Sequence, residues 1–220
     1  MSKNTSQQPN SSNLQEIDDV EESWWLEAIK TIGLSLFLAF GIRTFVAEAR
    51  YIPSGSMEPT LQINDRLIID KVSYDFRKPI RGDIVVFNPT QALKDQGFDD
   101  AFIKRIIGIP GDKVEIQNGT VLVNDQPLTE LYVANGDDTL VDTCGGSPAG
   151  AVAPAFLKEP QTIPADSYLV LGDNRHNSYD GRCWGVVAND ELVGRAVFRF
   201  WPLHRLGTIP EPKLSETGAS

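Results

Sequence analysis

Hydrophobic residues form one long stretch near the N-terminus and only short runs after it. The long stretch follows Trp24 and Trp25 and has Lys30 and Arg43 near its ends. Tryptophan rings favour the interface of a bilayer, and long cationic side chains near the ends of an apolar helix can extend to the headgroups. With these flanks the stretch reaches the roughly 20 residues that a spanning helix needs. We therefore predict a transmembrane anchor over residues 24–49.

Two alternatives to an uncleaved anchor arise from the same segment. One is an amphipathic or buried helix of a soluble domain. The other is a cleaved signal peptide, because Ala47-Glu48-Ala49 has the small-x-small form of a cleavage site. Residues 1–23, however, are acidic, whereas a signal peptide begins with a short basic region. We expect residues 1–23 to form a disordered tail, since they contain too few apolar side chains to bury.

After Arg50 the pattern changes to short runs of β-branched residues separated by turn signals, which predict strands. The predicted strands are residues 66–72, 83–87, 102–112, 113–117, 120–124, 167–171 and 193–201. Asn118-Gly119 joins two of them, and this dipeptide favours the positive φ angles of a type I′ hairpin turn. No long segment with helical period follows Arg50. We therefore predict a mainly β domain over residues 50–209, with an irregular insertion at 133–164 and a disordered tail at 210–220.

Composition argues against some functions without selecting one. The net charge of −10 argues against nucleic acid as a partner, because binding phosphates needs a basic face. With only His176 and His204 a histidine metal site is not expected, and we predict no metal and no cofactor. Cys144 and Cys183 lack the spacing of metal ligands. They can pair in an oxidising compartment, but the sequence leaves their pairing open.

A candidate nucleophile follows the predicted anchor directly. Ser56 lies in Tyr51-Ile52-Pro53-Ser54-Gly55-Ser56, which by itself is also ordinary turn chemistry. A reactive serine needs a base to remove its proton. In the run Phe102-Ile103-Lys104-Arg105-Ile106, strand alternation places Lys104 and Arg105 on opposite faces, each among apolar neighbours. Arginine keeps its proton, whereas a desolvated lysine can lose it near neutral pH, so Lys104 is the candidate base.

A third polar segment, residues 172–182, follows a predicted strand and alone indicates only an Asx-rich turn. Together the segments resemble one family, the type I signal peptidases, whose conserved boxes match here at residues 56–61, 64–74, 104–112 and 172–182. The boxes agree in order, spacing and position relative to the anchor. The sequence looks most similar to the cyanobacterial members and to the plastid thylakoidal processing peptidases.

The resemblance implies a signal-peptidase-like β domain with a smaller accessory β lobe at about residues 113–165. It also implies a serine endopeptidase, in which Ser56 attacks the scissile carbonyl and neutral Lys104 takes its proton, through an acyl-enzyme. Ser54 corresponds to a donor of the oxyanion hole, and Ser178 to a serine that orients the lysine. The residues that correspond to supports of the site by ion pairing are Arg105, Asp173, Asp180 and Arg182.

The substrate and the location are likewise implied by the resemblance. The substrate is the signal peptide of an exported pre-protein, cut after a small-x-small sequence such as Ala-x-Ala. The lipid bilayer is a second partner, and proximity to the export translocon follows from the same position. The expected location is the plasma or thylakoid membrane, with the β domain on the periplasmic or lumenal side. Charges beside the anchor do not decide this orientation.

Three alternatives compete with this interpretation. A self-cleaving Ser/Lys protease of the repressor type shares the dyad, but this chain has an anchor and no DNA-binding motif. A membrane-tethered β module that only binds a partner has no need for Ser56 and Lys104 together. A Ser-His-Asp triad would use His176, yet members of the resembled family often carry Asp at this position.

Overall fold

The computed structural model describes residues 12–134, 138–141 and 155–210. The chain divides into two compact units between Phe45 and Val46. The four α-helices among the described residues are α1 (Ser12–Gly41), α2 (Ser73–Phe76), α3 (Gln91–Lys94) and α4 (Gly181–Trp184). Single turns of 3₁₀-helix lie at Phe156–Lys158, Asn189–Glu191 and Leu203–Arg205, and a π-helical turn lies at Ile42–Val46.

Helix α1 forms the N-terminal unit. Its segment Trp24–Gly41 is long and apolar enough to cross a membrane, and the side chains of this segment are exposed. The helix begins at Ser12, within the predicted disordered tail, and residues 1–11 lie outside the described part of the chain. Adding a residue to a helix costs much less than starting one, so an apolar helix can extend into the acidic residues before it.

The second unit is mainly β, as predicted. Its strands among the described residues are β1 (Ala47–Tyr51), β2 (Arg66–Asp70), β3 (Ile84–Phe87), β4 (Phe102–Gly108), β5 (Lys113–Gln117), β6 (Thr120–Val123), β7 (Gln126–Pro127), β8 (Gln161–Thr162), β9 (Ser167–Leu171), β10 (Val186–Ala188), β11 (Leu192–Trp201) and β12 (Gly207–Thr208). The larger sheet has the order β1-β2-β11-β3-β4-β9-β10, with β12 on β11. The smaller sheet has the order β7-β6-β5-β8 and forms the accessory lobe.

The hairpin of β5 and β6 has the predicted turn. Val114 pairs with Val123 and Gln117 with Thr120. Asn118 has a φ of 50° and Gly119 a φ of 80°. Both positive angles are what a type I′ turn requires, and asparagine and glycine adopt them at the lowest steric cost.

Strand β1 takes up the last residues of the predicted anchor. It pairs with β2 over its whole length, from Ala47 opposite Asp70 to Tyr51 opposite Arg66. The small-x-small sequence Ala47-Glu48-Ala49 is therefore part of the larger sheet. Five residues are too few for a hydrophobic pattern to separate the end of a helix from the start of a strand.

The predicted insertion at 133–164 is described only in part. Residues 135–137 and 142–154 lie outside the described residues, and so does Cys144. The described remainder includes the 3₁₀ turn Phe156–Lys158 and strand β8. Cys183, in α4, is buried and disulfide-bonded. The predicted tail after residue 210 also lies outside the described residues.

Strand β4 passes through the interior between two apolar clusters. Ile106 is buried in one cluster, which includes Phe87 and Trp184, and Ile103 packs against the other. A third cluster, built around Val114, Val121 and Leu157, lies at the smaller sheet. Residues 104 and 105 of β4 are thus placed where little water can reach them.

Candidate active site

Strand register brings the three candidate segments together. Arg105 of β4 is opposite Leu171, the last residue of β9, so the polar segment that starts at Gly172 begins beside β4. The segment with Ser56 is tied to it by two hydrogen bonds. The Asn174 N–H donates to the Ser56 carbonyl and its side-chain amide to the Gly55 carbonyl, both at 3.1 Å.

Gly172 lies where the segment with Ser56 and the segment with Ser178 approach each other closely. A Cβ atom at this position would lie 2.2 Å from Ser178 Oγ and 2.5 Å from the Ser56 carbonyl oxygen. Real Cβ atoms do not make contacts this short, so any side chain here would separate the two serine segments. The glycine that begins the third box is therefore required by packing.

Ser56 and Lys104 meet in the interior. Ser56 Oγ lies 2.8 Å from Lys104 Nζ, and the amine also donates to the Ile103 carbonyl at 3.0 Å. Lys104 is only 4% exposed and Ser56 7%. Burial lowers the pKa of Lys104 to about 8, although Asp180 and Asp173 act in the opposite direction. A lysine amine that is substantially neutral near pH 8 can accept the proton of a hydroxyl.

The two predicted auxiliary serines lie beside this pair. Ser54 Oγ donates to Ser56 Oγ at 3.4 Å. Ser178 is fully buried, and its Oγ makes no hydrogen bond with any of the described residues, Lys104 included. The Ser178 hydroxyl is nevertheless close enough to Asp180 to help lower the pKa of that carboxyl.

The four predicted supports form two buried ion pairs. Arg105 binds Asp173 through both carboxylate oxygens, at 2.8 and 2.6 Å. Arg182 binds Asp180 in the same way, at 2.8 and 3.0 Å. Burial alone would raise the pKa of Asp180, but Arg182 and the Gly172 N–H lower it below its usual value. Asp180 is thus held ionised next to Lys104.

A third buried arginine was not predicted. Arg175 is 1% exposed and donates to both oxygens of Glu130, at 2.8 and 2.5 Å. Its Nε donates to the Gly172 carbonyl at 3.0 Å. The ring of Tyr132 lies 4.0 Å from the Arg105 guanidinium. These contacts tie the chain after β7 to the segment that supports Ser56, and no local sequence signal indicates them, because Arg175 and Glu130 are 45 residues apart.

A cleft of about 370 Å³ opens onto the Ser56–Lys104 pair. Its lining residues are Pro53, Ser54, Gly55, Ser56, Gly97, Phe98, Asp99, Asp100, Ala101, Phe102, Ile103, Lys104, Asn177 and Tyr179. The sequence indicated neither Phe98 nor Tyr179. His176 is exposed and does not line the cleft, so nothing in the geometry favours a Ser-His-Asp triad. A buried hydroxyl, a neutral amine and an adjacent cleft suit acyl transfer from an extended peptide.

Comparison with known proteins points to the same chemistry. A family model described as "Signal peptidase, peptidase S26" matches residues 25–201. "Signal peptidase I" of Leptolyngbya laminosa is 55% identical over 189 residues, which are 85% of this chain and 85% of that protein. "Probable signal peptidase I-2" of Synechocystis sp. is 55% identical over 190 residues, 86% of this chain and 79% of that protein.

A plastid protein is also similar. "Probable thylakoidal processing peptidase 2, chloroplastic" of Arabidopsis thaliana is 40% identical over 185 residues, which are 83% of this chain and 46% of that protein. The predicted likeness to both cyanobacterial and plastid proteins is confirmed.

The lowered pKa of Lys104 can be measured directly. In the detergent-solubilised chain with ¹³C-labelled lysine, we expect the Lys104 ε-carbon to titrate with a midpoint of about 8, because burial disfavours the ammonium. Exposed lysines titrate near their ordinary pKa of about 10.4. NMR spectra recorded from pH 6 to 11 give the midpoints, and the signal that Lys104→Arg removes is that of Lys104. A midpoint of 10 or above would show that the amine is not desolvated.

Proposed function

Because the chain belongs to the signal peptidase family S26, we propose that Ser56 and Lys104 are the catalytic dyad with which it removes signal peptides from exported pre-proteins. The observation that carries the proposal is the 2.8 Å distance between Ser56 Oγ and Lys104 Nζ, both of them buried at the end of an open cleft. A serine beside a protonated amine would be inert, and the lowered pKa of Lys104 supplies the neutral form.

In the first half of the reaction Lys104 Nζ takes the proton of Ser56 as Oγ attacks the scissile carbonyl. The resulting ammonium gives this proton to the leaving amine when the carbon–nitrogen bond breaks, and the signal peptide stays on Ser56 as an ester. In the second half Lys104 takes a proton from water, which attacks the ester. The proton returns to Ser56 Oγ and the signal peptide leaves with a new carboxylate.

The negative oxygen that forms in both halves needs hydrogen-bond donors in place beforehand. We assign this role to Ser54 Oγ and to the backbone N–H of Ser56. Ser54 Oγ already lies 3.4 Å from the nucleophilic oxygen. The Ser56 N–H donates to no other described residue, so it is available to the oxyanion. Ser178 and the two ion pairs of Arg105 and Arg182 then position the amine.

Removing either member of the dyad should stop the reaction. We expect Ser56→Ala and Lys104→Met to lower kcat by on the order of 10⁴-fold or more, since one loses the nucleophile and the other the base. The assay is cleavage of a pre-protein, whose leader ends in Ala-x-Ala, by the purified full chain in detergent. Lys158→Met, which alters an exposed lysine outside the cleft, should leave kcat unchanged.

Thermal unfolding shows whether a variant that has lost activity is still folded. We expect Lys104→Met to fold, because it removes a buried amine without adding bulk. A folded variant of Ser56 or Lys104 that cleaves within a factor of about ten of the unaltered protein would contradict the dyad.

Ser178→Ala should reduce the rate without weakening substrate binding. Ser178 does not line the cleft, and the expected effect of its hydroxyl is on the position of the Lys104 amine. We expect kcat to fall by about 10- to 100-fold with KM unchanged, measured in the same assay. A rise in KM at constant kcat, or no change in either constant, would remove Ser178 from the positioning role.

The substrate is the signal peptide of an exported pre-protein, cut after a small-x-small sequence. We propose that the chain meets it at the bilayer surface, anchored by the Trp24–Gly41 span of α1. Trp24 and Trp25 at the start of this span suit the headgroup region. Substrates emerge from the export translocon at the same surface, so we also propose that the enzyme works close to it.

We further propose that the β domain faces the exported side, which is the periplasm or the thylakoid lumen. In sealed vesicles with the exported side outward, added protease should digest the β domain and leave an N-terminal epitope tag protected. Inverted vesicles should give the opposite pattern. Antibodies against the tag and against the β domain read both outcomes on one blot, and a protected β domain in the first preparation would reverse the proposed orientation.

A further inference from the structure

One wall of the cleft consists of three aromatic side chains, Phe98, Phe102 and Tyr179, here called the aromatic wall. The ring of Phe98 meets that of Phe102 edge-on, with centroids 5.4 Å apart. On its other side it packs against Tyr179 at 5.8 Å. Phe102 in turn stacks on Phe87, which is fully buried. The aromatic wall is therefore an extension of the core and not a mobile surface patch.

The aromatic wall is next to the reacting atoms. Lys104 Nζ lies 5.7 Å from the centroid of the Phe102 ring. Phe98 and Ser56 line the same cleft. A substrate that places its scissile carbonyl at Ser56 Oγ therefore brings its neighbouring side chains into the cleft that the aromatic wall lines.

The backbone that carries Phe98 is held from two directions. Behind it, Leu93 of α3 is fully buried and its carbonyl accepts a hydrogen bond from the Phe98 N–H at 3.1 Å. Beside it, the Tyr179 hydroxyl donates to Gln96 Oε1 at 2.5 Å, across 83 residues of sequence. The second contact connects the Phe98 segment to the polar segment that supports Ser56.

We propose that Phe98, fixed by the Tyr179–Gln96 hydrogen bond, is a specificity-determining residue that limits the size of a substrate side chain beside the scissile bond. This inference rests on the proposed function. A ring packed against two neighbouring aromatic rings cannot move aside at low cost, because packed interiors resist added volume. Alanine fits in front of such a ring, whereas leucine or phenylalanine would clash with it. A clash built against the larger side chain is one of the two routes by which a site gains specificity, the other being better contacts to the preferred one.

The test is a specificity ratio measured on the full chain in detergent. The substrates are pre-proteins in which one of the two small positions of the small-x-small sequence is Ala, Val, Leu or Phe. Two substrates compete in one reaction, which gives the ratio of their kcat/KM values independently of the enzyme concentration. For Phe98→Ala we expect the Leu-to-Ala ratio to rise about 10- to 100-fold at one of the two positions. The position that responds identifies the side chain that Phe98 meets.

Matched variants separate this change in the specificity ratio from a general loosening of the β domain. Phe76→Ala removes a phenylalanine that is 85% exposed and outside the cleft, and it should leave the ratio unchanged. Tyr179→Phe keeps the ring and loses only the hydrogen bond to Gln96, so we expect a smaller rise at the same position. Gln96→Leu should reproduce that rise, and the double variant should add nothing to it.

Failure of the inference and failure of the proposed function give different experimental results. If folded Phe98→Ala and Tyr179→Phe both cleave the Ala substrate with unaltered ratios at both positions, the inference is overturned and the proposed function stands. If Phe98→Ala does not fold, the ratio of Tyr179→Phe decides alone. If the unaltered protein cleaves none of the pre-proteins, the proposed function fails and this inference fails with it.

Discussion

Burial of the Lys104 amine beside the Ser56 hydroxyl is the constraint on which the rest of the β domain depends. A lysine exposed to water keeps its proton at neutral pH and cannot act as a base. Desolvation between two apolar clusters lowers the pKa to about 8, so the core that stabilises the fold also lowers the pKa of this residue. The same burial would make a permanent, unpaired charge at residue 104 costly. The neighbouring Arg105 keeps its charge, so it serves a different purpose.

That purpose is to neutralise the aspartates around the lysine. Asp173 and Asp180 are buried and would hold the ammonium form of Lys104 if they were unpaired. Each is bound instead by two nitrogens of an arginine, Nε and Nη2, at 2.6 to 3.0 Å. Breaking a buried pair of this kind by removing one partner costs about 3–5 kcal/mol. The network is therefore stable only when complete, and a complete network fixes the carboxylates around the amine.

The third pair, Arg175 with Glu130, extends this network to the chain after β7. Arg175 also donates to the Gly172 carbonyl, and Gly172 is where the two serine segments approach most closely. A change in the Glu130 segment would thus reach Ser56 through two buried polar contacts. The aromatic wall is fixed in a comparable way by Tyr179, so both sides of the site depend on the segment between β9 and α4.

The sequence by itself determined the local elements and the chemistry that they can carry. Period-two runs predicted β5 and β9 at their observed bounds, and Asn118-Gly119 predicted the hairpin turn, because strand pleating and positive φ angles depend on the residues themselves. The choice of Lys104 over Arg105 followed from their acid–base chemistry alone, and the ordered boxes placed the chain in its family. The tertiary structure decided the rest: the 2.8 Å approach of Ser56 to Lys104, the partner of Arg175 and the position of Phe98. It also placed residues 47–49, the predicted end of the anchor, in the strand Ala47–Tyr51. Contacts across 45 to 83 residues depend on strand order and register, and these are set by the packing of the whole domain.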